Sequence, residues 1–252
     1  MPPPLPPRIF NAARKTARAA RARLLQGRAG AAGWLAESLV EDTLERVGFL
    51  RLAPCRALVL GAGGAELGRL LERGEFRVTV ADPGALDLER PYPLGGFGLI
   101  VSLAALDTVN DLPGALIHQR NALASGGVTL ASMVGAGSLP RLRAALLAAD
   151  GERPAARLHP AVDARSGAGL LQRAGFARQV TDSWTLRLRY GALDTLIEDL
   201  RTQGLTSALT DSAPPLTRAG LMRAREAFVA GADRYGRVVE TLEMLTLTGW
   251  HD

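Results

Sequence analysis

The feature that most constrains the fold is a glycine-rich turn directly after a short apolar run. The run Arg56–Leu60 has the length and composition of a buried strand, and it ends in the sequence Gly61-Ala62-Gly63-Gly64. Glycine lets the backbone adopt positive φ angles and approach a ligand closely. The residues from Glu66 onward predict a helix, whose first N–H groups have no partner within the helix itself. This strand–turn–helix arrangement predicts an α/β domain with a ligand at the turn.

Strands and helices alternate along the first two thirds of the chain, whereas the last third differs. Apolar runs predict further strands at Phe76–Ala81, Phe97–Leu103 and Val128–Val134. Helical spacing predicts helices over about 34–48, 66–72, 112–124, 139–149, 167–174, 192–202 and 218–230. Arg178–Tyr190 and Arg237–Thr248 are two long runs that alternate apolar and polar residues, which is typical of antiparallel strands. We therefore predict a doubly wound, mostly parallel sheet with an antiparallel C-terminal strand, in which a strand ahead of Asp87 counts as the third.

An acidic residue closes the second predicted strand, where the chain reads Asp82-Pro83. A carboxylate at this position can accept hydrogen bonds from both ribose hydroxyls of an adenosine. Together with the glycine turn, it fits either S-adenosylmethionine (SAM) or NAD. The pattern Gly-x-Gly-x-x-Glu lacks the third glycine typical of NAD sites, which favours SAM. A tight turn without a ligand, in which Asp82 caps a loop, is the alternative.

Two more residues are expected to complete the SAM site beside Gly61, Ala62, Gly63, Asp82 and Pro83. Asp87 follows the predicted third strand, where it could meet the adenine amino group, although a solvated loop acid is an equal alternative. Leu103 ends the fourth predicted strand, and open α/β sheets bind ligands at the carboxyl ends of their strands.

The stretch 102–116 follows that fourth strand and is the most distinctive part of the sequence. Asp107 and Asn110 are expected at the mouth of the ligand site, without an assigned catalytic role. Asp111 fits the N-cap of the next helix, with Pro113 in its first turn. His118, His159 and His251 are scattered through the chain, and we expect them to be structural or surface residues.

The positive charge of the chain is concentrated at its N-terminal end. Seven of the 30 basic side chains lie within residues 1–30, which hold no acidic residue, so the rest of the chain is slightly acidic. Ile9–Leu25 has apolar residues at helical spacing, and this basic arm could contact RNA, anionic lipid or a protein partner, or pack over the ligand cleft. We expect residues 1–50 to form an arm and helices packing on the core, and residues 51–252 to form the ligand-binding domain.

Several classes of protein are disfavoured by what the sequence lacks. Cys55 is the only cysteine, which excludes an intramolecular disulfide and a cysteine zinc cage, and we expect no metal site. No apolar run approaches the roughly 20 residues that a transmembrane helix needs. The proline-rich and then Arg/Ala-rich N-terminus lacks the apolar core of a secretory signal. We expect a cytoplasmic protein of bacterial type without specific nucleic-acid binding.

Five blocks of sequence resemble one known family when they are taken together. They are Ile9-Phe10 with the following arginines, residues 109–116 (Val-Asn-Asp-Leu-Pro-Gly-Ala-Leu), residues 170–176, Glu198–Arg201 and Thr248–Trp250. These blocks, which extend over nearly the whole chain, resemble the complex I assembly factor 5 family and the related biotin-pathway malonyl-carrier-protein methyltransferases. The resemblance implies the class I SAM-dependent methyltransferase fold, with its sheet of seven strands, and SAM as the cofactor.

The resemblance also implies two alternative functions. One is a methyltransferase that modifies a small molecule or a protein. The other is a catalytically weakened or non-methyltransferase relative that acts in assembly of a respiratory complex, as a scaffold or as a hydroxylase like the mitochondrial member. Departures within the glycine motif motivate the second, because Val59 replaces the acid that the family typically has there and Ala65 replaces the motif's last glycine.

Overall fold

The computed structural model describes residues 8–81 and 86–252. The predicted extended segment Met1–Pro7 and the predicted site residues Asp82 and Pro83 lie outside these ranges. Among the described residues, none of the helices combines the length and the apolar character needed to cross a membrane.

Apart from the predicted third strand, the helices and strands follow one another in the order that the sequence predicts. The helices of the described ranges are α1 (Ala12–Gln26), α2 (Trp34–Phe49), α3 (Gly64–Arg73), α4 (Leu112–Ala122), α5 (Pro140–Asp150), α6 (Ala164–Arg173), α7 (Leu193–Thr202) and α8 (Arg218–Val229). The strands are β1 (Arg56–Gly61), β2 (Arg77–Ala81), β3 (Phe97–Leu103), β4 (Leu123–Val134), β5 (Arg178–Tyr190) and β6 (Val238–Trp250).

The six strands form one mixed sheet in the order β2-β1-β3-β4-β6-β5. The pairs β1–β2, β1–β3 and β3–β4 are parallel. Strand β6 lies antiparallel between β4 and β5, with Val128 opposite Trp250 on one side and Tyr190 opposite Val238 on the other. The predicted doubly wound sheet with an antiparallel C-terminal strand is therefore confirmed.

The predicted number of seven strands is wrong, since the sheet of the described residues has six. The expected third strand, between β2 and β3, is absent from the described part of that connection, residues 86–96, which forms turns and bends. Pro91 and Pro93 fall in this short segment, and proline has no backbone N–H to donate to a sheet ladder. Strand β2 consequently lies at one edge of the sheet and β5 at the other.

Alternate residues of the strands face two separate hydrophobic layers. Ala57 and Val59 of β1 face the layer formed by α2, α3, α5, α7 and α8, whereas Leu58 and Leu60 face the layer formed by α4 and α6. All four side chains are almost fully buried. Helices thus cover both faces of the sheet, and the carboxyl ends of the parallel strands remain available for a site.

The N-terminal helix α1 is attached to this body without burying any of its own fifteen described residues. It packs beside α7, and hydrogen bonds from polar side chains hold it there. Gln26 Nε2 donates to Thr202 O at 3.0 Å, and Arg18 Nη1 donates to Thr206 O at 3.1 Å. Helix α1 is therefore docked mainly by polar contacts.

Candidate functional site

The glycine turn after β1 crosses closely over the end of β3. Gly61 has a φ of +95°, and the N–H of Ala62 donates to Leu103 O at 2.9 Å. A Cβ atom at Gly61 would overlap that same carbonyl oxygen. The turn thus needs glycine at position 61 because of both its φ angle and this close approach, and the turn brings Gly61, Ala62 and Leu103 together.

The second glycine of the turn begins α3 and is covered by α2. Gly63 is the N-cap of α3 in the left-handed region, with a φ of 76°, and no side chain caps this helix. A Cβ atom at Gly63 would lie 2.9 Å from Val40 Cγ2 and 3.2 Å from Ala36 O, so α2 fills the space beside it. Val59, in the strand before the turn, is fully buried in the core.

A cavity of about 480 Å³ opens at the carboxyl ends of β1, β3 and β4. Ala62, Ala104 and Met133 line the end of the cavity next to the sheet, and residues of α1, α5, α7 and the loops 157–162 and 203–207 complete its wall. Ligand sites in proteins commonly have volumes of 300–1,000 Å³ and mainly apolar walls. This cavity is the candidate site, because it lies where an open α/β sheet binds its ligands.

The predicted cofactor residues have different positions relative to the cavity. Ala62 lines it, whereas Gly61, Gly63 and Leu103 form the turn and strand end behind Ala62. Asp87 is exposed and is not part of the cavity lining. Its carboxylate accepts a hydrogen bond from the N–H of Glu89 at 3.0 Å and pairs with Arg90 at 3.2 Å. The role of Asp87 toward adenine stays a prediction, as do the roles of Asp82 and Pro83.

Asp107 lies in the cavity wall, as the sequence predicts. Its Oδ1 accepts a hydrogen bond from the N–H of Val134 at 2.7 Å, and its Oδ2 is buried without a hydrogen-bond partner among the described residues. Burial raises the pKa of Asp107 to about 6, against the opposing effects of the Val134 hydrogen bond and of the Arg18 charge. Asp107 is thus a carboxyl group with unused hydrogen-bonding capacity at the cavity.

Two further polar groups of the cavity, Arg18 and His159, were not predicted from the sequence as site residues. The guanidinium of Arg18 donates to Thr206 O and, at 3.3 Å, to Thr108 Oγ1, and it makes no ion pair with any described residue. Burial lowers the pKa of Arg18, which the nearby Asp107 charge partly opposes. His159 accepts a hydrogen bond at Nε2 from the N–H of Ala208 at 2.8 Å. Burial, followed by the Arg18 charge, lowers the pKa of His159 to about 4.

The segment Ile9–Asn11, here called the strap, closes one side of the cavity. Asn110 binds its backbone with both ends of its amide, because Oδ1 accepts from Phe10 N at 2.8 Å and Nδ2 donates to Phe10 O at 3.3 Å. Thr210 N donates to Ile9 O at 2.8 Å on the other side, and the Phe10 ring meets the His159 ring edge-on at 5.0 Å. Asn110 therefore fixes the backbone of the strap by hydrogen bonds. The next residue, Asp111, caps α4 by accepting a hydrogen bond from Gly114 N at 2.9 Å.

The free energy of unfolding should depend on pH in a way that reveals the neutral imidazole of folded His159. A folded pKa of about 4 lies below the ordinary 6.5. Between these two pH values the unfolded chain therefore binds a proton at His159, whereas the folded protein does not. The stability contributed by His159 is thus complete above pH 6.5 and declines as the pH falls toward 4. We expect the variant His159→Gln, whose amide oxygen can still accept from Ala208, to lose less stability than the unmodified protein between pH 7 and 4.5 in urea unfolding.

The raised pKa of Asp107 has the opposite effect, because it increases the free energy of unfolding as the pH falls from about 6 to about 4. This contribution is present in both proteins, so the difference between their pH curves isolates His159. Parallel curves for the two proteins would contradict the burial of a neutral imidazole.

The arrangement around Ala62 fits part of a SAM site. The uncapped first turn of α3 offers backbone N–H groups, and the cavity reaches the strand ends beside them. The buried Val59, by contrast, supplies no acid to the amino-acid end of such a ligand. Residues Ala62 and Ala104 could therefore hold SAM by backbone and surface contact, together with the predicted ribose ligand Asp82.

Curated relatives of the chain come from two groups. The mitochondrial arginine-hydroxylase NDUFAF5 of Rattus norvegicus is 30% identical over 171 residues, which cover 64% of this chain and 49% of that protein. The malonyl-[acyl-carrier protein] O-methyltransferase of Halorhodospira halophila is 28% identical over 243 residues, which cover 86% of this chain and 81% of that protein. The chain thus spans about half the length of the mitochondrial relatives it matches, and no family model matches it. The predicted resemblance to both groups is confirmed at modest identity.

Solved structures share the fold at low sequence identity. The YcgJ protein of Bacillus subtilis aligns with a TM-score of 0.50 and 13% identity, covering 86% of this chain and 99% of that chain. A candidate methyltransferase from Bacillus halodurans C-125 aligns with a TM-score of 0.50 and 11% identity, covering 82% of this chain and 97% of that chain. The chain therefore has the class I SAM-dependent methyltransferase fold, with six strands among its described residues.

Proposed function

We propose that this protein is a SAM-binding enzyme that transfers a methyl group to a small-molecule or protein acceptor held in the cavity. The observation that carries the proposal is the position of the cavity, at the ends of β1, β3 and β4 and beside the glycine turn, in a methyltransferase-type fold. SAM, when bound, supplies an electrophilic methyl group. The protein then has mainly to align the acceptor with it, because proximity and orientation account for much of the rate in such reactions.

The proposal gives each part of the chain a role. Residues 51–252 would bind SAM through the glycine turn, Asp82 and Leu103, and residues 1–50 would cover the cavity with the strap and α1. Exposed basic residues of α1 and of the turn that follows it, among them Arg21 and Arg28, leave a positive surface that suits an acidic protein partner. The cytoplasmic location stays a prediction.

A second candidate function is a role in assembly of a respiratory complex, as a scaffold or a hydroxylase. The observation that favours it is Val59, which is fully buried where the family typically has an acid for the methionine end of SAM. The two candidates differ in their need for SAM, and its binding is therefore the decisive measurement.

Calorimetric titration of the full chain with SAM and with S-adenosylhomocysteine tests the proposal. We expect saturable binding of both, and we expect Asp82→Ala to weaken it by about 10-fold or more, because a carboxylate hydrogen bond contributes about 1.5–3 kcal/mol. The matched control is Asp252→Ala, which removes an exposed acid at the last residue of the chain and should leave the affinity unchanged.

The outcomes separate the candidates. Binding that Asp82→Ala weakens supports the enzyme. Absence of binding at millimolar concentrations of both ligands refutes it and favours the scaffold. Binding that Asp82→Ala leaves unchanged would contradict the predicted ribose contact.

A further inference from the structure

Three polar side chains, Asp107, Arg18 and His159, stand in a cavity whose wall is otherwise largely apolar, and we call them the polar cluster. Phe10, Leu106, Met133 and Leu142 are among the apolar residues around them. The cluster combines a strand-end loop, helix α1 and the loop before α6, which the fold brings together from distant parts of the sequence. A ligand that fills this cavity has to satisfy the cluster, because unpaired polar groups in an apolar site are costly.

The remaining hydrogen-bonding capacity of the cluster comprises both donors and an acceptor. A guanidinium has five N–H donors, and Arg18 uses Nη1 and Nη2 toward two neutral oxygens. Neutral His159 accepts at Nε2, so its proton resides on Nδ1 as a further donor. Asp107 is the acceptor, with one oxygen bonded to Val134 and the other without a partner among the described residues.

The charges of the cluster offset one another, which restricts the charge of the ligand. Asp107 and Arg18 interact electrostatically and supply one charge of each sign, whereas His159 is neutral. Two other arginines line the cavity. Arg157 is paired with Asp150 at 2.6 Å, and Arg143 is exposed to solvent, which screens its charge. A carboxylate would be attracted by Arg18 but repelled by Asp107, and an ammonium group would meet the reverse, so neither ion gains a net charge interaction with the cluster.

We propose that the polar cluster recognises a neutral hydroxyl group, of a phenol or an alcohol, on an otherwise apolar acceptor. A hydroxyl donates one hydrogen bond, here to Asp107, and accepts others, here from Arg18 or His159, without adding charge. The inference rests on the proposed function in taking this cavity for the acceptor site, but binding of the hydroxyl compound does not itself require methyl transfer.

The same geometry gives Asp107 a part in the reaction. A lone pair of the hydroxyl oxygen forms the new O–CH₃ bond while the bond between the methyl carbon and the sulfonium sulfur of SAM breaks. The electron pair of that bond stays on sulfur, giving neutral S-adenosylhomocysteine. The hydroxyl proton passes to the carboxylate of Asp107, so atoms and charge balance.

Three probes of nearly equal size and different charge test the proposal. They are 4-ethylphenol, 4-ethylbenzoate and 4-ethylbenzylammonium, which share an apolar body and differ in the head group. Each is titrated at pH 7.5 into the full chain in the presence of S-adenosylhomocysteine, and binding is followed by ligand-observed NMR. We expect the phenol to bind at least about 10-fold more tightly than either ion, which corresponds to 1.4 kcal/mol.

Variants of the cluster should change the preference in opposite directions. Asp107→Asn removes the negative charge and should raise the affinity for the benzoate relative to the phenol. Arg18→Gln removes the positive charge and should raise the affinity for the benzylammonium, whereas Arg18→Lys keeps the charge and should keep the phenol preference. Arg21→Gln is the matched control, because this exposed arginine of the same helix is absent from the cavity lining.

Several results would overturn the proposal. They are equal or tighter binding of either ion by the unmodified protein, a preference that neither Asp107→Asn nor Arg18→Gln alters, and no binding of the phenol at millimolar concentration. Circular dichroism verifies that each variant is folded. Phenol binding without any affinity for S-adenosylhomocysteine would refute the SAM proposal alone, and SAM binding without phenol selectivity would refute the present proposal alone.

Discussion

Gly61→Ala is expected to remove more than about 4 kcal/mol of folding stability, which is a large part of the 5–15 kcal/mol typical of a domain. The added methyl group would overlap the carbonyl oxygen of Leu103, and the φ of +95° disfavours any residue with a Cβ atom. The overlapping atom belongs to the backbone of the central strand β3, which cannot move without disturbing its two neighbouring strands. Urea unfolding followed by circular dichroism measures the loss.

Gly126→Ala is the matched control for that experiment. Gly126 also has a positive φ, of 75°, but the space around it is open. Its replacement should therefore cost only the conformational energy of a positive φ in a residue with a Cβ atom, about 1–2 kcal/mol. Equal losses in the two variants would contradict the close approach of the turn to β3, and so would a stable Gly61→Ala protein.

Glu240→Ala is expected to cost about 3–5 kcal/mol, because it leaves the first turn of α5 without a cap. Glu240 is fully buried in β6, and its carboxylate accepts from Leu142 N at 2.7 Å, Thr241 N at 2.9 Å and Arg141 N at 3.3 Å. The residue at the N-cap position, Leu139, offers no side-chain acceptor. Loss of the carboxylate would leave buried N–H groups unpaired and remove a negative charge from a helix N-terminus.

The damage should extend from α5 to the cavity, since Leu142 and Leu146 of this helix line its wall. We therefore expect Glu240→Ala to weaken ligand binding and to lower the urea midpoint of unfolding. For both quantities, Glu240→Gln should lie between Glu240→Ala and the unmodified protein. Glu226→Ala removes an exposed carboxylate from α8 and should change neither quantity appreciably. A loss below about 1 kcal/mol in Glu240→Ala would argue against the capping role.

The strands of the sheet could be predicted well because their signal is local. Phe97–Leu103 and Arg178–Tyr190 have the predicted bounds, since apolar runs and period-two alternation are visible in the sequence itself. The beginning of β4 was predicted less well. The sequence predicts a helix to residue 124 and a strand from Val128, whereas β4 extends back to Leu123, which pairs with Phe97 beyond a register shift. The seventh strand is implied only by the resemblance to the fold class, because no apolar run supports it.

The candidate site was only partly predictable, because its key contacts join distant residues. Asn110 and Phe10 are 100 positions apart, and no periodicity indicates that the side chain of one binds the backbone of the other. Arg18 belongs to a basic helix, which predicts a solvated residue, and only the tertiary fold places its guanidinium over the cavity. Asp107 could be predicted, because it follows the carboxyl end of a central strand.

The polar docking of α1 has a thermodynamic consequence. Because no described residue of this helix is buried, its detachment would expose little apolar surface. The heat capacity change and the denaturant dependence of that step would then both be small, since both scale with newly exposed area. Calorimetric scans and urea midpoints would therefore report the unfolding of the rest of the protein and would not detect the detachment of α1. Hydrogen exchange at the amides of Asn11 and Thr210, which bond to Ala208 and Ile9, would reveal its opening.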